Sequence, residues 1–148
     1  MRPTIYLTAA LLVGLTAAAA AQQTKTAAQQ SKTGIKLADI AGVWDSKTLM
    51  GPRDSIVATT VQTIPADTKG WTMAFRTGAP VAVRLISSAG DSIVTEAGPF
   101  PSQVRPGQTV TLLHSVSHYK GNQAWGTSMA KYATGDSLTF KTTATRRN

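Results

Sequence analysis

Between Gly70 and Arg146 the chain changes sides at every second residue, and that alternation narrows the fold more than any other feature. In WTMAF, residues 71–75, Trp71, Met73 and Phe75 share one face, while Thr72 and Ala74 take the other. In PVAVRLISS, Val81, Val83 and Leu85 stand together against Ala82, Arg84 and Ile86. In QTVTLLHSVSH the alternation sets Val110, Leu112, His114 and Val116 against Thr109, Thr111, Ser115 and Ser117. SLTFKTTATR places Leu138 and Phe140 with Thr142, Ala144 and Arg146. Period-two patterning rich in Val and Thr marks half-buried antiparallel strands, and no stretch of a dozen residues after the N-terminal region carries a 3.6 period. Eight such runs are expected, near 42–49, 54–64, 70–77, 81–88, 92–97, 109–118, 123–132 and 137–146. The breaks between them carry glycine, as in Lys69-Gly70, Ala89-Gly90-Asp91, Lys120-Gly121-Asn122 and Thr134-Gly135-Asp136, which suits hairpin turns. The chain therefore predicts an all-β domain.

Two segments precede that domain. Met1-Arg2 followed by an apolar run from Ile5 to Leu15 and an alanine tract through Ala21 has the layout of a secretory signal peptide, residues 1–21. Residues 22–36 are polar and repetitive, with Ile35 their one large apolar side chain, and read as a flexible linker. The barrel domain is expected over 37–148. A periplasmic or secreted bacterial protein follows, without a stable membrane anchor after cleavage. The chain has no cysteine, so such a domain stands on its own core without disulfides. Its formal charge of +8 comes from Lys and Arg scattered along the chain, with no basic stripe interleaved with aromatics, so nucleic acid is not an expected partner. A monomer is expected.

Catalytic machinery is hard to find. His114 and His118 stand four apart, which on a helix would let them share a metal. On a strand they lie about 13 Å apart, too far to chelate one ion. Glu96 is the single glutamate, and the six aspartates sit mostly at turns. No Gly-x-Ser-x-Gly elbow and no phosphate-cradling glycine loop occur. No catalytic, cofactor or metal residue is assigned, and the protein is not expected to be an enzyme. The three Asp-Ser-Ile/Leu echoes at residues 54, 91 and 136 each open a strand and suit local turn hydrogen bonding.

Eight consecutive strands can either stack as a sandwich or close into an up-and-down barrel, and closure removes both sheet edges. Gly42-Val43-Trp44 stands near the start of the first strand, and Arg146 ends the last. That pairing resembles the lipocalin-like, or calycin, superfamily, in which a Gly-x-Trp packs near the barrel base under a basic residue from the last strand. The resemblance implies an eight-stranded antiparallel up-and-down barrel closed by Gly42, Trp44 and Arg146. The chain departs from that family in its small size, its lack of disulfides and the absence of a C-terminal helical pattern. Avidin-like, fatty-acid-binding-like and metalloprotease-inhibitor barrels share the same layout.

The expected function is binding of a small apolar ligand inside the barrel, lined by Trp71, Phe75, Val83, Leu85, His114 and Phe140. The same side chains could equally form a solid core. The alternative is a protein-binding module, such as an inhibitor of a secreted protease, acting through rim loops or the N-terminal tether. The proline-bearing connection 98–108, GPFPSQVRPGQ, is a candidate rim of a binding mouth or equally a packed corner, with Phe100 and Val104 as anchors.

Overall fold

A computed structural model describes residues 34–148, so the expected signal peptide and residues 22–33 of the expected linker lie outside the described residues. After one helical turn, α1 (Leu37–Ile40), come β1 (Gly42–Met50), β2 (Ser55–Ile64), β3 (Thr72–Ala74), β4 (Val81–Ala89) and β5 (Ser92–Ala97). They are followed by β6 (Phe100–Pro101), β7 (Thr109–Lys120), β8 (Gln123–Tyr132) and β9 (Ser137–Arg146). Every pairing is antiparallel, and the order β5-β4-β3-β2-β1-β9-β8-β7 closes on itself because β5 also pairs with β7. The result is a closed eight-stranded up-and-down barrel.

The two-residue β6 is the continuation of β5 beyond a break. Ala97 faces Leu113 of β7, and Phe100 then resumes on the same strand at Val110. Gly98 marks the interruption. Its φ of 125° is open only to glycine, and a Cβ there would stand 2.8 Å from the Thr111 carbonyl oxygen.

Opposite that break, β7 carries a bulge, and this corrects one expected face. Val110 pairs with Tyr132 and Leu112 with Lys131, so Thr111 is an extra residue. One added residue inverts every side chain beyond it. Leu113, Ser115, Ser117 and Tyr119 therefore point inward, and Leu112, His114 and Val116 do not share the inner face with Val110.

The third strand is shorter than its alternation suggests. Residues 70–77 were expected to form it, but only Thr72–Ala74 pair, with Val61, Gln62 and Thr63 of β2 and with Val81 and Ala82 of β4. The upper half of β2, residues 55–60, is consequently bonded on its β1 side only.

Apolar side chains fill the barrel in two layers. The lower layer holds Ile40, Trp44, Ile64, Trp71, Ile93 and Ala124, with Leu85 and Tyr119 packed against it. The upper layer holds Met73, Phe100, Val110, Ala130, Tyr132 and Phe140, with Phe75 and Val104 against it. Ile35 belongs to the lower layer as well. Its amide donates to the Gly90 carbonyl at 3.0 Å, so the chain is held on the barrel two residues before the expected domain start at 37.

Candidate functional site

The barrel floor is built from both ends of the chain. A single helical turn leaves its last carbonyls without partners inside the turn. Trp44 Nε1 donates to the Ile40 carbonyl at 2.9 Å, and Arg146 donates to the Asp39 carbonyl. Trp44 is fully buried. The Arg146 guanidinium lies over its indole at 4.9 Å from the ring centroid, and Tyr119 meets the indole edge-on at 5.2 Å. Gly42 sits beside the Arg146 stem with a φ of 141°, a conformation that favours glycine. Burial at this floor pushes the Tyr119 hydroxyl up to about 12.

The opposite end is covered by the 98–108 connection. Phe100 is buried and stacks on Phe75, with centroids 5.1 Å apart at a 43° tilt. The Ser102 hydroxyl accepts the amides of Val104 at 3.2 Å and Arg105 at 2.9 Å, tightening the turn. Arg105 sits 4.6 Å above the Tyr132 ring and reaches Asp136 at 3.5 Å. Phe100 and Val104 hold this connection down against the upper layer.

Between floor and cap lie two small cavities, of about 40 and 70 Å³. They share Gln62, Met73, Leu113, Ser115, Ser128 and Thr142 as lining. The larger space also touches Ser46, Thr48 and Thr60, and the smaller one Thr95 and Ser117. Hydroxyls thus form a belt around the waist, following cross-strand rows such as Thr95–Ser115–Ser128. Ser115 and Ser128 bond each other at 2.7 Å. Among the described residues, only Gln108 Oε1 and Arg146 Nε are buried side-chain polar atoms with no partner. Belt groups that lack a protein partner therefore have the cavities to turn to. No acidic, basic or histidine side chain lines either space.

The sequence-predicted lining divides. Trp71 and Val83 border the smaller cavity, and Phe75 and Phe140 the larger. Leu85 packs into the lower layer without touching either space. His114 is the correction: its side chain is 37% exposed on the outer wall, where Nδ1 meets Glu96 Oε1 at 3.3 Å. Arg84 holds the other Glu96 oxygen at 2.7 Å, making a ladder across β4, β5 and β7. The Thr111 bulge is the cause. Gly42, Trp44 and Arg146 come together at the barrel floor.

Sequence reasoning missed the belt. Its signal was present, because Ser46 and Thr48 alternate with Trp44 on one face, and Thr60 and Gln62 alternate with Ile64. Hydroxyls read as outward-facing when only apolar residues are assumed to point in.

Compared with protein-family models, with curated proteins and with solved structures, the chain matches none.

Proposed function

We propose that the protein is a lipocalin-like carrier or sensor that binds a small uncharged molecule inside its barrel. One observation carries the reading: a chamber free of charged side chains in which a hydroxyl and amide belt adjoins a wall of Phe75, Phe100 and Phe140. Such a lining suits a ligand with one apolar part and one hydrogen-bonding group. An ionised ligand would lose its hydration there without gaining a counter-charge. The larger cavity, at about 70 Å³, has room for only a few water-sized groups, which limits the ligand to a compact molecule unless the cap moves. The Gly42–Trp44–Arg146 floor supports the lipocalin-like assignment.

The test is a titration with small neutral alcohols and phenols, read by tryptophan emission and by chemical shifts of the belt residues. Ala130→Phe fills the larger cavity, in which Ala130 is a wall residue. Binding to the parent and its loss in a folded Ala130→Phe variant supports the reading. Binding that survives the filled chamber, or its absence across the panel, sinks it.

The protein-binding alternative has one observation of its own. Trp125 is 47% exposed on the outer wall and stacks on His118 at 6.0 Å. Loss of a protein partner in Trp125→Ser, with the chamber still binding, would favour that reading.

A further inference from the structure

Outside the chamber, at the cap end, runs a groove of about 640 Å³ between the β3–β4 turn and the 98–103 segment. Its walls include Thr77, Pro80, Ala82, Pro99 and Pro101, and no charged side chain borders it. Three residues border both this groove and the larger inner cavity: Phe75, Phe100 and Gln103. The tilted Phe75–Phe100 stack is thus a shared wall between a ligand-sized outer space and the small inner one.

We propose that the groove is the vestibule of the barrel and that the Phe75–Phe100 stack is its gate, admitting small uncharged molecules to the hydroxyl belt. The ligand class rests on the reading above; the gate rests on the geometry alone. Phe75 is the leaf that moves. It lies just past the end of β3, and residues 75–80 have no ladder pairing with β2 on one side or β4 on the other. A second notch, of about 240 Å³, opens on the β2 side of the same ring, lined by Thr59, Thr60, Ala74 and Arg76. The ring therefore has free space to swing into, and little backbone bonding opposes the motion. Phe100 is the fixed jamb, held by β6 pairing on Val110 and by the Ser102 turn.

A chain without cysteine permits a test that needs no knowledge of the ligand. Ser128→Cys places one thiol where both inner cavities meet. Its modification is timed with neutral methyl methanethiosulfonate and with the anionic sulfonatoethyl and cationic trimethylammonioethyl analogues. In the parent, neutral reagent enters slowly and the charged ones more slowly still. Phe75→Ala, with Phe75→Leu as a milder variant, removes the ring stack and speeds neutral labelling by about tenfold, the upper range for such a pair. Leu85→Ala loosens the lower layer without touching the gate, and labelling then keeps the parent rate. Equal labelling in Phe75→Ala and Leu85→Ala overturns the gate, as does a thiol that no Phe75 variant exposes. Charged reagents that match the neutral one overturn the selectivity. A chamber that binds no panel ligand leaves these rates unaffected, so the two readings fail separately.

Discussion

Removing the floor should unfold the barrel before it alters anything inside it. Trp44 is fully buried, donates to Ile40, meets Tyr119 edge-on and lies beneath Arg146. Replacing a buried tryptophan by alanine costs about 3–5 kcal/mol through lost transfer energy and an unfilled cavity. Stranding the Ile40 carbonyl adds about 1–3 kcal/mol where water does not reach it. A domain of this size is stable by about 5–15 kcal/mol, so Trp44→Ala should be marginal or unfolded at room temperature. A double-mutant cycle isolates the cation–π part. Trp44→Leu and Arg146→Met each keep apolar bulk while removing the ring or the charge. Their coupling should be about 0.5–2 kcal/mol, measured by urea unfolding followed by far-ultraviolet circular dichroism. A coupling indistinguishable from zero would mean the guanidinium merely rests there. An unchanged urea midpoint in Trp44→Ala, together with lost ligand binding, would invert the assignment and make Trp44 a ligand contact.

The Tyr119 hydroxyl, pushed up to about 12, should make the barrel alkali-sensitive. The fold favours the protonated phenol, so this contribution is complete below the unfolded value near 10 and is lost as pH rises through 12. The loss amounts to about 2–3 kcal/mol. Urea midpoints across that window should fall in the parent and stay flatter in Tyr119→Phe; parallel curves would refute the burial. Gly98→Ala should lose about 2 kcal/mol or more, because its φ is strained for alanine and its Cβ would press on the Thr111 carbonyl. A thermal midpoint equal to the parent's would show that the β5 break tolerates a side chain.

The strands were legible because side chains alternate with period two whichever face is polar, and because glycine-bearing turns separate them. Trp44 and Arg146 were legible because they sit at the two ends of the first and last strands, which closure brings side by side. The helical turn was not, since four residues are too few to show a helical period. His114 was misplaced because Thr111 adds one residue to β7, and nothing in TVTLLHSV announces which residue is extra. The waist was invisible for a different reason. Ser115 and Ser117 point inward while Val116 points out, so polarity reads as the wrong face where a barrel keeps a polar interior. The shortness of β3 was hidden too: Phe75 continues the alternation perfectly, yet its backbone has already left the sheet.

That short strand also bears on how the protein behaves in a crowded solution. A hoop held by eight joints is as durable as its weakest, and here the weakest is a three-residue stave beside residues 55–60, SIVATT, an uncharged run with Ile56 56% exposed. Should the hoop slip there, the strand beside the slip offers its backbone to a neighbouring molecule. If the proposed gate holds, the length of β3 should set two quantities together: how readily small molecules pass the wall, and the concentration at which copies of the chain begin to adhere to one another.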